Sequence, residues 1–439
     1  MSAQANANPT KSFFISLIVR DVNITDCIKD LIDNSIDGIV RHHSGQNLKR
    51  FKILLKVTEK EFEIWDNCGG IELDIAKRYA FRFGKPDDEV ERDKLIAGRY
   101  GIGMKRAIFK LGDKINIATQ ALKSSFSMQI DVPTWKRDDT PPWKFDIQTA
   151  EENDPAPMDK TFTRIRITGL HEEVADEFGD SLFRSRLIRD LEFAYADRIR
   201  HGLTLKVNDT EAKPQKMELL SSSKVKAMAR YSPLDGVRMK CFVGLGPDDD
   251  DESSAMDSAG WYVFCNNRLL LAADKSPNTG WGRENKNPSW HPQYNQFRGY
   301  VFFESNNTDK LPWNTAKNQL NTESAAYRTA KPMLADALRE VVDYLNKRKK
   351  ARSDKDRRYD EPLKSAKLVS VWDLPAAQHF RVSVRKNVEK RKVERISYER
   401  PSWMVERAME TLGVSTPKEV GEETFDHYFE RNCNGQHSR

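Results

Sequence analysis

The chain has 439 residues, 38% apolar and 31% charged, which is long enough for two or three domains with separate cores. It has no run of 18 uninterrupted apolar residues, no basic-then-apolar order in residues 1–11, and no close pair among Cys27, Cys68, Cys241, Cys265 and Cys433. These features argue against a membrane span, a secretory leader and a zinc or disulfide framework. A reducing, cytoplasmic setting (nuclear in a eukaryote) is expected.

The formal net charge of +6 is unevenly placed. Residues 1–330 carry 48 basic and 48 acidic side chains, whereas residues 331–439 carry 24 and 18. The C-terminal part is therefore the candidate contact for nucleic acid or another polyanion, with a solvated helical surface as the plain alternative.

In chain order, residues 21–42 read as a helix, because Ile24, Cys27, Ile28, Leu31, Ile32, Ile36, Ile39 and Val40 recur at three- and four-residue spacing. Strands are predicted at 51–57 and 61–65, a helix at 74–83, and a charged loop or lid at 84–93. A glycine-rich stretch, 98–103, leads into a helical segment, 104–111. Strands follow at 114–119, 126–132 and 163–168, so helices and strands interleave as in a mixed α/β layer.

A second unit is expected from about residue 176, with a helix over 182–200 that stops at Gly202. Its strands are predicted at 203–207, 213–219, 239–244, 261–264, 268–271 and 299–303, with an acidic loop at 248–252. A helix over 329–350 runs into a basic cluster, 347–358, and a second basic cluster covers 385–395. The expected organisation is an α/β nucleotide domain over 1–175, an α/β domain over 176–335 and a basic, mainly helical region over 336–439. Trp372, Phe380, Tyr398 and Trp403 are read as a small packed core or partner surface rather than base-stacking platforms.

Three clusters carry chemistry. Asp30, Asn34 and Asp37 share one face of the first helix, where an acid and an amide one turn apart can hold a hydrated magnesium ion or orient a water. Taken alone they read first as an ordinary polar face. Trp65-Asp66-Asn67-Cys68-Gly69-Gly70-Ile71 ends a strand in an acid and a glycine pair, which admits close approach of a ligand or makes a simple β-turn. Gly98-Arg99-Tyr100-Gly101-Ile102-Gly103-Met104-Lys105 puts glycines before a helix N-terminus, where backbone amides favour anions. The GxxxxGK[ST] pattern of P-loop proteins is absent.

The order and spacing of these clusters resemble the Bergerat-type ATP site of the gyrase, heat-shock chaperone, histidine kinase and MutL (GHKL) superfamily. Within it the sequence looks most similar to the MORC ATPases. Residues 29–37 are similar to the first family motif, 66–71 to the second, 98–105 to the third and 161–167, with Thr163, to the fourth. Residues 191–208 resemble the start of the family's transducer domain. Phe264-Cys265-Asn266-Asn267-Arg268-Leu269-Leu270 resembles its Asn-Asn-Arg strand, and residues 311–319 its lysine loop. The fold implied is a Bergerat α/β sandwich followed by an α/β transducer-like domain and the helical tail.

The resemblance implies roles residue by residue. Asn34 would coordinate magnesium. Asp66 would accept from the adenine amino group with Thr163 in support, and Gly70 and Ile71 would line the base. Asp37 would belong to the same nucleotide pocket. Gly98, Arg99, Tyr100, Gly101, Ile102, Gly103 and Met104 would wrap the phosphates, assisted by Lys105. Lys317 would reach the terminal phosphate, and Asp30 would orient the attacking water.

Three positions depart from the family pattern. Asp30 stands where glutamate is usual, one methylene shorter, and a displacement of about 1 Å can cost about 100-fold in rate. Cys68 and Phe162 stand where glycines are usual. The expected function is Mg-dependent ATP binding with slow hydrolysis, driving lid closure and homodimerisation and acting on DNA or an effector protein, with no membrane partner. A nucleotide-gated binding module without turnover is the alternative, favoured by Asp30. A histidine kinase is disfavoured, because a transducer-like segment with Lys317 follows the ATP motifs and no histidine-bearing helix precedes Phe13.

Overall fold

The computed structural model describes residues 8–84, 102–152, 155–247, 256–266, 268–314, 317, 319–385 and 394–433. Two helices open the chain, α1 (Lys11–Val19) and α2 (Ile24–His42). Each is started by a polar side chain in extended backbone: Thr10 accepts from the Phe13 amide and Asn23 from the Asp26 amide. This satisfies donors that have no partner inside a helix. The apolar stripe of α2 is buried as its spacing predicts, and Ile28 and Ile32 are sealed completely. Helix α1 had no sequence signal of its own. Phe14 fastens it edge-on to Phe83, at 4.8 Å, and to Trp143, at 5.8 Å.

The first sheet contains β1 (Lys52–Thr58), β2 (Glu61–Asp66), β3 (Gly112–Gln120), β4 (Ser124–Asp131), β5 (Ile147–Glu152), β6 (Phe162–Leu170), β7 (Thr204–Val207) and β8 (Thr210–Glu211). Their order across the sheet is β5-β4-β3-β6-β2-β1-β7-β8. One face alternates in register, with Ile53, Leu55 and Val57 on β1, Phe62 and Ile64 on β2, Ile115 and Ile117 on β3, and Ile165 and Ile167 on β6 all buried. Helix α2 and α3 (Gly103–Leu111) share this core. Strand β7, predicted beyond the start of the second unit, pairs in parallel with β1 and so extends the first sheet.

Two predicted helices take a different form. Residues 74–83 make a short turn, Leu73–Ile75, followed by a π-helical turn, Ala76–Ala80, a widening that apolar spacing does not announce. The helix predicted over 182–200 is two, α5 (Ser181–Ala194) and α6 (Ala196–Arg200), preceded by α4 (Glu172–Gly179). They break at Tyr195, whose hydroxyl donates to the Lys29 carbonyl and to Asp33.

The second sheet has five strands, β11 (Met228–Leu234), β12 (Val237–Leu245), β13 (Gly260–Cys265), β14 (Arg268–Asp274) and β15 (Phe297–Glu304), ordered β11-β12-β15-β13-β14. Short ladders join β9 (Glu218–Ser221) to β16 (Lys367–Ser370) and β10 (Val225–Lys226) to β17 (Arg381–Val382). Both faces of the second sheet are covered, which accounts for strands such as Gly260–Cys265 that are buried at every position. The long helix α7 (Ala325–Ser353) packs on one face. On the other, Trp372 meets Phe302 at 4.7 Å and Phe193 stacks on Tyr262 at 5.9 Å.

The chain divides into two compact units, Met1–Val384 and Arg385–Arg439. The second contains a helical hairpin, α8 (Ser402–Leu412) and α9 (Pro417–Asn432), with a Thr416/Glu419 capping box at the start of α9. No residue of either helix is fully buried. No described helix is long and apolar enough to cross a membrane.

Candidate functional site

Helix α2 carries the polar row that defines the site. Asp30 is 4% exposed, and both its oxygens are engaged: Oδ2 accepts from Arg106 on α3, and Oδ1 from Arg268 Nη1 at 3.3 Å. Gly103 lies against this carboxylate, since a Cβ there would stand 3.4 Å from Asp30 Oδ2. Three residues on, Asp33 accepts from Arg268, accepts the Tyr195 hydroxyl at 2.9 Å and stands 3.6 Å from Lys317 Nζ. Burial works against the Asp33 charge, but Arg268 and Lys317 outweigh it and hold the carboxyl below its ordinary range. Burial likewise opposes the Arg268 charge, and Asp33 and Asp30 more than restore it, so its pKa is raised.

The opposite end of the site is built from neutral donors. Asp66 ends β2, where Oδ2 accepts the Ser35 hydroxyl at 2.8 Å and Oδ1 the Cys68 amide at 2.8 Å. Burial dominates and pushes this carboxyl up to about 6. Thr163 on β6 pairs directly with Asp66 on one side and with Thr119 of β3 on the other, so the three line up on one face of the sheet. The Thr119 hydroxyl accepts the Ile71 amide at 2.9 Å, which ties the glycine turn to the sheet. Gly70 has φ +71, and a Cβ there would fall on the Gln120 carbonyl, so its place needs glycine on both counts.

At the third cluster, Gly103 begins α3 with Ile102 as its cap, and Met104 is buried in the core. Lys105 does not reach toward Asp30. It is 2% exposed and its ammonium donates to the Ala80 carbonyl at 2.8 Å, with burial lowering its pKa to about 7. Gly98, Arg99, Tyr100 and Gly101, and nearly all of the expected lid, lie outside the described residues.

Several buried donors of the site have no hydrogen-bond partner among the described residues: Asn34 Nδ2, Arg41 Nε, Arg106 Nε, and Nε and Nη2 of Arg268. A buried donor left without an acceptor costs about 1–3 kcal/mol. A site with surplus donors around two carboxylates suits a ligand rich in acceptor oxygens, which a nucleotide polyphosphate is. Asn34 also offers an amide oxygen to a magnesium ion. Asp37 is half-buried one turn before Arg41, whose pKa burial lowers and Asp37 and Asp66 raise. Among the described residues no three His, Cys, Asp or Glu side chains form a metal-ligand cluster.

The structure thus gathers Asp30, Asn34, Gly103 and Lys317 at one end and Asp66, Gly70, Ile71 and Thr163 at the other. Sequence reasoning passed over Asp33, Ser35, Arg41, Arg106, Thr119 and Tyr195, and it noted Arg268 only as part of a strand motif. Arg106 follows Lys105 directly, and Asp33 lies inside the first motif. A charged residue next to a motif residue was the available signal.

Residues 22–160 match the family of histidine kinase-, DNA gyrase B-, and HSP90-like ATPases. No curated protein shows a significant match to the chain. The family match covers α2, the first five strands of the first sheet and the Asp66 turn, and this part of the protein is a GHKL-type ATPase domain.

Proposed function

We propose that the protein binds Mg-ATP in this domain and hydrolyses it slowly, using the nucleotide as a conformational switch. The observation that carries the reading is the convergence on α2 of Asp30, from the ATPase domain, with Arg268 and Lys317, from the second sheet and its following loop. Asp66 would accept from the base and Thr163 would support it. The α3 N-terminus and Lys317 would hold the phosphates, and Asn34 would hold magnesium, which supplies charge neutralisation when bound. Asp30 would orient the attacking water and take its proton.

A specific observation favours a second reading, a nucleotide-gated binding module without turnover. Both oxygens of Asp30 already accept from arginines, so an attacking water would have to compete with two guanidinium groups for that carboxylate. We read the chain as closest to the MORC type within the superfamily, on the Asn-Asn-Arg strand and the form of residues 98–105. Closure would promote homodimerisation, and DNA or an effector protein would be the target.

A polyanion contact through 347–358 is weakened by Asp360, which pairs with Arg348, Arg352 and Arg357. The hairpin over 402–432 carries seven acidic and three basic residues, so DNA contact would fall to the stretch before it. Steady-state Mg-ATP turnover across a range of protein concentrations, with Asp30→Asn beside the wild type, tests the main reading. Turnover per protomer that rises with concentration and is lost in the variant is expected. Nucleotide binding without turnover in the wild type would establish the second reading instead.

A further inference from the structure

Five charged side chains meet where α2 faces the second sheet: Asp30, Asp33, Arg106, Arg268 and Lys317. Three cations face two carboxylates, so this group alone carries one positive charge in excess. The cations are not held alike. Arg268 is 4% exposed and bonds directly to both acids, which suits a fixed strut between the second sheet and α2. Lys317 stands off at 3.6 Å with 16% of its side chain exposed, and Trp313 flanks its ammonium at 5.5 Å to the ring centroid.

The backbone at Lys317 has φ +53, a left-handed conformation that is uncommon for a long side chain. The loop is held in it by hydrogen bonds that include the Lys317 amide to the Asn314 carbonyl, at 3.0 Å. A structural ion pair for Asp33 needs only Arg268. A second, looser cation delivered by a strained loop is surplus to the fold and available to a stronger anion. A phosphate offers more charge and more acceptor oxygens than one carboxylate.

We propose that Asp33 is a positioning residue for terminal-phosphate recognition. It stands in for that phosphate by holding Lys317 beside α2, and it releases Lys317 when ATP, but not ADP, occupies the site. Tyr195 takes part by fixing Asp33 Oδ1, so that the carboxylate stays turned toward the second sheet. The inference rests on the reading that the site binds ATP.

The test is calorimetric binding of ADP and of a non-hydrolysable Mg-ATP analogue to the full chain, in the wild type, Asp33→Asn, Lys317→Met and the double variant. The quantity read is the preference for the triphosphate, the ratio of the two Kd values. Asp33→Asn frees Lys317, so the preference is expected to rise roughly fivefold, the scale of one partly exposed ion pair. In the double variant the gain disappears and the ratio equals that of Lys317→Met, an outcome that a merely structural Asp33 would not produce. Should Asp33→Asn fail to fold, Tyr195→Phe removes the bond that keeps the carboxylate turned toward the second sheet while keeping the charge; the hold on Lys317 loosens, and the preference is again expected to rise, by less than in Asp33→Asn. A wild type that binds both nucleotides, with a ratio unmoved by Asp33→Asn or by Tyr195→Phe, overturns the proposal and leaves the ATP site standing. A wild type that binds neither nucleotide overturns the ATP site and the proposal with it.

Discussion

Asp33 and Asp66 are largely buried carboxylates of one domain, yet their surroundings are opposite. Asp33 faces a guanidinium and an ammonium from another part of the chain, and its pKa is held below the ordinary carboxylate range although burial opposes the charge. Asp66 is hydrogen-bonded by a hydroxyl and an amide, both neutral, with the Arg41 charge a lesser influence, and burial leaves it near 6. The difference separates two tasks. A carboxylate that joins two parts of the chain needs countercharge, whereas one that reads a neutral hydrogen-bond donor needs geometry.

The contrast breaks most sharply at Arg268. Replacing it with methionine leaves Asp33 and Asp30 without their shared partner, and removing one member of a buried pair costs about 3–5 kcal/mol. Denaturant unfolding of Arg268→Met measures this, and a loss below about 1 kcal/mol would show that the junction does not depend on the pair.

Next in size is a pH effect of opposite sign at the two acids. Asp33, lowered on folding, contributes stability above its unfolded pKa, near 3.8, and loses it as the pH falls through its folded value. Asp66, raised to about 6, contributes fully below 3.8 and loses that contribution as the pH rises through about 6. The shift corresponds to about 3 kcal/mol. Unfolding of the wild type and Asp66→Asn from pH 4 to 7 should therefore diverge, with only the wild type showing this loss. Parallel curves would mean that Asp66 titrates normally.

The smallest effect is expected from Ser35→Ala, which removes one neutral donor from Asp66. A loss of about 1 kcal/mol at pH 7 is expected. The Asp66 transition should also move to higher pH, because the ionised form has lost a hydrogen bond. A transition that stays in place would assign Asp66 to the Cys68 amide alone.

Much of this was legible in the sequence wherever one residue's environment is set by near neighbours. The stripe of α2 and the alternation along β1, β2, β3 and β6 follow from period, and each placed its element within a few residues. The Asp66 turn was legible for the same reason, since Gly70 must be glycine where it sits. The pairs that organise the junction were not. Asp30 meets Arg106 across 76 residues, and Asp33 meets Arg268 across 235, separations at which no local pattern exists. Lys105 marks the same limit from the other side. Its position in the first turn of α3 suggested a phosphate contact, whereas in the structure the π-helical turn at Ala76–Ala80 offers its last carbonyl to the ammonium. The C-terminal region was expected to be mainly helical, and its last two helices leave their apolar residues, Trp403, Met404, Phe425 and Tyr428 among them, exposed.

Strand β6 lies between β3 and β2, and it is the element that joins the two halves of the first sheet. It begins at Phe162, just past the family-matched segment. During synthesis the hairpins β1–β2 and β3–β4 can each form as they emerge, but their hydrophobic faces have no common sheet until residue 170 has been made. A ribosome-bound chain stopped at residue 160 would therefore carry two unjoined sheet fragments with open edges, the state most exposed to wrong pairing. Ten further residues close that gap, so the cooperative folding of the ATPase domain is set by a strand that follows the family-matched segment in sequence.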